Sequence, residues 1–238
     1  MLEIRLIPEN ELQRVREATI DKHTRLALLS DMCSANTLAT VKRAGSGHLG
    51  SSFSSLDIVT YLYHYEMNVA ELGVNHPDRD IYFSSKGHDV PGHYAVLHSL
   101  GLLSEERFQH LRRHDGTHGH PDVSIAGIEA NSGSLGMGIS KAKGMALAKK
   151  MSGAKGRVMV MTGDGELQEG QIWESLQTAA FQKVNNLIAI VDFNKIQTDK
   201  SVKDIIDLGD LTRKFEVFGW HAETCNGHDF AELENAFT

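Results

Sequence analysis

Only two cysteines, Cys33 and Cys225, occur in 238 residues. They lie in unrelated contexts, which argues against a disulfide framework or a zinc site and fits a reducing compartment such as the cytoplasm. No apolar run approaches the roughly 18 residues that a membrane-crossing helix needs. The N-terminal stretch MLEIRLIPENELQRV lacks the continuous apolar core and the small-residue cleavage site of a secretory signal. Acids and bases are mixed along a chain of net charge -7, with no Lys/Arg cluster dense enough for a nucleic-acid footprint. Internal repeats, low-complexity segments and Pro/Gly/Ser linkers are missing too. What remains is ordinary globular composition, 41% apolar and 23% charged. The length suits a single α/β domain over residues 1–238 with a sizeable core.

The chain is rich in glycine (22) and histidine (13), and several histidines stand beside glycines, which packing alone does not require. Apolar spacing predicts a mostly helical segment over 10–44, with Leu26, Leu29, Met32 and Cys33 on one face. A loop over Ala44–Ser54 follows, and Ser54 with Asp57 form a candidate capping box for the next helix. DIYFSS (Asp80–Ser85) reads as a short strand, followed by helices over about Val90–Leu100 and after Ser104. A Gly- and His-rich loop spans Arg113–Gly138, and Ile139–Lys150 is helical. Strand Arg157–Met161, helix Gln171–Lys183 and strand Leu187–Asp192 then form a βαβ unit. Its strands are near-continuous apolar runs, the mark of parallel strands covered on both faces. The last stretch reads as helix, short strand, loop and the start of another helix.

Parallel α/β sheets bind ligands beyond the carboxyl ends of their strands. Asp164 lies just past one such end, in GDGELQEGQIWES, and Asn194 just past the next, in VDFNKIQ. Their separation, 194 - 164 = 30 residues, is about one βαβ repeat, so the two side chains can approach at one sheet edge. A carboxylate, an amide oxygen and a nearby backbone carbonyl make a hard oxygen set suited to Mg²⁺ or Ca²⁺, with waters and phosphate oxygens completing it. Gly163 and Gly165 would let the backbone turn tightly and admit a bulky anion. SGSLGMG (Ser132–Gly138) leads into a helix whose start would present free N–H groups to a diphosphate. Taken singly, a GDG triplet is usually only a turn. His114, His118 and His120 have a spacing open to zinc, but no Cys or well-placed acid completes that set.

The run from GDG at Gly163 to Asn194 resembles the thiamine-diphosphate motif. More narrowly, the chain resembles the N-terminal, diphosphate-binding half of the transketolases. GSGHLGSS, SKGH, GHPD, GIEANSGSLGMG and FGWHAETCNGHD are similar to that family's blocks and occur in its order. The resemblance implies a three-layer α/β fold with a mostly parallel central sheet flanked by helices. It implies that Asp164, Asn194 and the Ile196 carbonyl coordinate Mg²⁺, with Ca²⁺ or Mn²⁺ as substitutes. Gly165 and the Gly133, Ser134 and Leu135 turn would contact thiamine diphosphate, Leu135 packing on its ring. Glu169 matches a glutamate at the family's dimer interface near the active site; read physically, it is equally a helix N-terminal acid interacting with the dipole.

The same resemblance implies ketol transfer between sugar phosphates, with the cofactor as electron sink. Imidazole titrates near neutrality and suits the proton transfers this needs. His48, His88 and His120 match the family's active-site histidines: His88 and His120 near the cofactor and the donor's oxygens, His48 toward the substrate. His118 and His228 are weaker candidates, and the other histidines read as surface or structural. In this family the glutamate that activates the cofactor lies on a second, pyrimidine-binding domain. The sequence ends at Thr238 in a helix, before a further strand and a loop with one more active-site histidine. The expectation is one subunit of a split enzyme; for the late histidine, either the chain is truncated or its role is lost or replaced. In the split enzyme a partner carries the pyrimidine-binding and C-terminal domains, assembled as a heterotetramer. A deoxyxylulose-phosphate synthase, a 2-oxoacid dehydrogenase component and a non-catalytic regulatory subunit remain as alternatives. Lys195 departs from the family's frequent Gly; if the position needs positive φ, Lys costs on the order of 1 kcal/mol.

Overall fold

Apolar runs at Ile81–Ser84 (β1), Val158–Gly163 (β2) and Leu187–Asp192 (β3) form one sheet in the order β1-β2-β3, with both pairings parallel. Such strands need cover on their faces, and the side chains of Tyr82, Phe83 and Val158 to Met161 are buried. This is the predicted α/β class, seen in a computed structural model that describes residues 5–197 and 200–238. The chain divides into two compact units, here called unit one (residues up to 74, 88–131 and 225–238) and unit two (75–87 and 132–224).

Unit one is helical: α1 (Glu9–Arg16), α2 (Lys22–Ala44), α3 (Leu49–Tyr61), α4 (Val69–Leu72), α5 (Val90–Ser99), α6 (Glu105–Gln109) and α11 (Phe230–Phe237). Its core includes Leu26, Leu29, Cys33, Leu56, Val59, Tyr94, Leu97 and Phe108. The expected helix over 10–44 is broken at 17–21, where the Asp21 carboxylate caps α2 by accepting from the Thr24 N–H at 2.9 Å. The expected loop over Ala44–Ser54 is shorter. Gly45, at φ 74, ends α2, and α3 starts at Leu49 after His48. The Ser54 and Asp57 capping box does not form. Inside α3 the hydroxyls of Ser52, Ser54 and Ser55 donate to carbonyls three or four residues back. Asp57 is engaged by the Ser30 hydroxyl and His228.

In unit two the sheet is flanked by α7 (Gly138–Ser152) and α8 (Gly170–Phe181). Two short antiparallel strands, β4 (Ile196–Gln197) and β5 (Lys200–Ser201), follow β3 and precede α9 (Val202–Ile205) and α10 (Leu211–Val217). The short strand expected after α10 is absent: among the described residues 220–224 form no ladder, and Trp220 is held instead by its indole N–H on the Leu176 carbonyl, 3.1 Å. Among the described residues no helix is long and apolar enough to cross a membrane.

Candidate functional site

In unit two, β2 delivers Asp164 to the carboxyl edge of the sheet, one residue past Gly163. The side chain is 2% exposed. Its Oδ1 accepts from the Gly165 N–H at 2.8 Å and its Oδ2 from the Lys195 N–H at 2.6 Å. The second bond folds the loop after β3 onto the carboxylate, so Asp164 meets the segment holding Asn194 and Ile196. The Asp164 N–H in turn donates to the Asp192 carbonyl, 3.2 Å. Burial raises the Asp164 carboxyl above its ordinary range; the two backbone donors oppose that, and the charge of Asp192 adds to it. A buried carboxylate with another nearby is a place where a cation is favoured.

Asn194 is oriented on both sides. Its Oδ1 accepts from the Ile196 N–H at 2.9 Å, and its amide donates to Asp192 Oδ2 at 3.3 Å. The same Asp192 oxygen accepts from Lys86 Nζ at 2.6 Å, a pair exposed by only 2% and 5%. Removing either partner of such a pair leaves a buried uncompensated charge. Lys195 itself sits at φ 66, so the strain anticipated for a non-glycine there is present. The donors gathered here are oxygens only, which fits a hard divalent cation.

The turn over 132–138 lies against the end of β1 within the same unit. The Ser132 hydroxyl donates to the Ser84 carbonyl at 2.5 Å, and the Gly133 N–H to the Ser85 carbonyl at 3.3 Å. A Cβ on Gly87 (φ 64) would stand 2.6 Å from the Gly133 backbone N, so only glycine allows the two segments to meet. Leu135 is 42% exposed at the tip. Ser134 is exposed beside it. Gly165 differs from expectation: its φ is not positive, and its small size serves Gln197, whose Oε1 a Cβ would approach to 2.6 Å. The start of α7 also differs. The Gly136 N–H donates to Glu166 and the Gly138 N–H to the Ser85 hydroxyl, so these two are not free for an external anion. Glu169 occupies the N-cap position of α8, exposed and making no side-chain cap bond.

In unit one, His48 and His88 meet edge to face, ring centroids 5.1 Å apart. His48 is exposed and His88 half-buried. The His120 imidazole is held below its ordinary range by partial burial first, then by the charges of Arg112 and His48, with Asp89 opposing. A cavity of about 490 Å³ is lined by Arg112, Arg113, His114, His118 and His120 among others. Arg112 donates to the Ser46 hydroxyl at 3.2 Å, linking the loop before His48 to the loop before His120. His118 is exposed, and His228 is bonded to Asp57 Oδ2 at 2.6 Å. Among the described residues no three His, Cys, Asp or Glu side chains converge as metal ligands.

Sequence reasoning passed over Glu166, Lys86, Asp192 and Arg112. A signal existed for the first, since it directly follows the GDG triplet, and for Arg112, in an Arg doublet eight residues before His120.

Comparison with known proteins bears on both units. Residues 28–238 match the family model described as transketolase, thiamine diphosphate binding domain. The chain is 41% identical over 189 residues to one of the subunits of the apulose-4-phosphate transketolase of Actinobacillus succinogenes, covering 79% of this chain and 68% of that one. It is 37% identical over 203 residues to the SqwG subunit of the 6-deoxy-6-sulfo-D-fructose transketolase of a Clostridium strain, covering 84% and 74%. Among solved structures, the transketolase of Campylobacter jejuni superposes with a TM-score of 0.80 at 28% identity over 94% of this chain. The match spans 35% of that transketolase, about a third of its length.

Proposed function

Because the chain belongs to the transketolase family, through that family's thiamine diphosphate-binding domain, we propose that it is one subunit of a split transketolase. It would move a two-carbon ketol unit from a ketose phosphate to an aldose acceptor. Residues 1–238 are read as one diphosphate-binding domain. The names of two relatives, each a transketolase subunit, support a partner chain; in this reading the partner carries the pyrimidine-binding part and the assembly is a heterotetramer. One relative is named for a sugar phosphate and the other for a sulfonated sugar, so an anionic ketose is the substrate class, with a pentose phosphate as the default. The cytoplasm is the compartment this implies.

The observation that carries the reading is Asp164: a buried carboxylate past a parallel strand, held by two backbone N–H groups against the loop of Asn194. Asp164, Asn194 and the Ile196 carbonyl would hold Mg²⁺, and through it a diphosphate. Gly133 to Leu135 would border the cofactor, Leu135 offering an exposed apolar surface to its ring, while Gly165 keeps the loop beside Asp164 close. Glu169 is left exposed for an interface. When bound, thiamine diphosphate supplies the electron sink for breaking the donor's C–C bond. The histidines handle protons and orientation. His120, whose imidazole is held below its ordinary range by partial burial and by Arg112, is suited to accept a proton from a sugar hydroxyl. His88 and His48, in edge contact, would orient carbonyl and hydroxyl oxygens on the donor and the acceptor.

The test is native mass spectrometry of the protein from its source, followed by assay of the complex. A second chain, with mass left for thiamine diphosphate and metal, and ketol transfer without pyruvate decarboxylation, is the expected result. A protein that is isolated alone, binds no Mg²⁺–thiamine diphosphate and carries out no transfer with any co-purified chain overturns the reading.

A further inference from the structure

The turn over 132–138 leads into α7, and a buried carboxylate of the protein itself binds its backbone. Glu166 is 3% exposed. Its Oε1 accepts from the Gly136 N–H at 2.8 Å and from the Ser85 hydroxyl. Its Oε2 accepts from the Gly163 N–H at 3.2 Å. The Ser85 hydroxyl that donates to Glu166 also accepts from the Gly138 N–H at 3.0 Å. One carboxylate therefore gathers the last amide of β2, an amide of the 132–138 turn, the serine after β1 and, through that serine, the first residue of α7.

We propose that Glu166 is the resident anion of the 132–138 turn. In that place it positions the turn, and through Ser85 the first residue of α7, relative to β1 and β2. The inference rests on the thiamine-diphosphate reading for its consequence: the cofactor's diphosphate is left to the metal corner at Asp164, and Glu166 acts on it only by setting the turn. Its charge matters as much as its shape. Three donors, one of them relayed onto a fourth, converge on two oxygens, and a neutral amide can accept at only one of its two polar atoms.

Glu166→Ala removes the carboxylate and opens a space lined by the donors it served. Formate, a carboxylate small enough for that space, is the probe, with chloride at equal ionic strength as control. In the full chain, formate should raise the melting temperature of Glu166→Ala by several degrees and leave the unsubstituted chain nearly unmoved. Affinity of the complex for Mg²⁺–thiamine diphosphate should fall at least tenfold in Glu166→Ala and recover in part with formate. A merely space-filling role would be repaired as well by Glu166→Gln, which is expected to remain several-fold weaker and to gain nothing from formate. Should Glu166→Ala fail to fold, Ser85→Ala tests the relay to Gly138, with a loss of at least threefold expected. Formate acting no differently from chloride, together with cofactor affinity within twofold of the unsubstituted chain, overturns the inference. If the unsubstituted complex binds no cofactor, the functional reading fails, and the formate response still decides the role of Glu166.

Discussion

Two sets of polar side chains, one in each unit, are built on opposite plans. In unit two the carboxylates of Asp164, Glu166 and Asp192 are almost fully buried, and hydrogen bonds commit each oxygen of the first two to backbone or hydroxyl donors. In unit one His48 and His120 are exposed and His88 half-buried. Among the described residues no hydrogen bond fixes the rings of His48 or His120. The buried set is pre-organised, which suits holding a metal and a diphosphate with little reorganisation. The exposed set can still adapt its contacts to a substrate or a neighbouring chain. The difference predicts which kinetic parameter each set controls.

The largest effect is expected at Asp164. Losing even an outer-shell partner of a metal ligand typically costs about 10–100-fold in metal affinity, so Asp164→Ala, which removes a ligand under the proposed assignment, should cost more than about 100-fold. Cofactor titration of the complex at fixed Mg²⁺ measures it, and the far-ultraviolet circular dichroism should be kept. Retention of full affinity removes the metal assignment. His120→Ala should behave the other way, losing about 100-fold or more in turnover, the range of general acid–base catalysis, while cofactor affinity moves less than about threefold. If the histidine variants lose cofactor and the Asp164 variant keeps it, the two plans are reversed.

Acid separates the units by sign. In unit one His93 is buried and His64 half-buried, bonded to the Tyr63 and Ser99 hydroxyls, and loss of solvent around the rings lowers them to about 4 and about 3 from 6.5. Arg16 adds to the shift of His64, while Asp89 opposes that of His93. Their folded values lie below the unfolded one, so the unfolded chain binds more protons below about pH 6.5 and stability falls as pH drops from there. From pH 6.5 to 5 the pair should cost roughly 3 kcal/mol. Asp164 has the opposite sign, since its folded value is raised; protonating it on acidification relieves rather than strains unit two. Both tryptophans, Trp173 and Trp220, belong to unit two. Hydrogen exchange in α3 and α5 should therefore accelerate at pH 5 before tryptophan fluorescence changes. Equal stability at pH 7 and 5 would contradict the burial of these histidines.

The legible parts were those set by one short stretch of chain or by a repeat length. Strand β3 and the pairing of Asp164 with the 194–196 loop followed from apolar runs and a 30-residue spacing. For Glu166 the sequence offered only its place directly after the GDG triplet; its role was not legible because two of its partners come from distant segments, Ser85 81 residues away and Gly136 30. The start of α3 was misread because serine serves two ends: as a cap it precedes a helix, and inside one its hydroxyl bonds back to a carbonyl. The strand expected near Trp220 failed for a tertiary reason, since an extended segment needs a neighbour to pair with, and here the indole N–H is what anchors it.

The smallest effect sharpens the contrast most, because it tests whether unit two keeps strain at the very loop that grips Asp164. Lys195 sits at φ 66 and donates its N–H to Asp164. Its ammonium lies 5.5 Å from the Phe193 ring centroid, worth about 0.5 kcal/mol at an exposed site. Replacing Lys195 by Gly alone mixes three terms: relief of the left-handed strain, loss of that ring contact, and greater freedom of the unfolded chain. Lys195→Ala loses the contact but keeps the strain. The Gly and Ala variants therefore differ only in the strain and in unfolded-chain entropy, the latter opposing Gly by about 0.4–1 kcal/mol. Left-handed strain of about 1–2 kcal/mol outweighs it, so Lys195→Gly should be more stable than Lys195→Ala by up to about 1.5 kcal/mol in urea unfolding. An Ala variant as stable as the Gly variant would mean that the loop relaxes out of the left-handed region, and that the Lys195 N–H does not hold Asp164 in a fixed place.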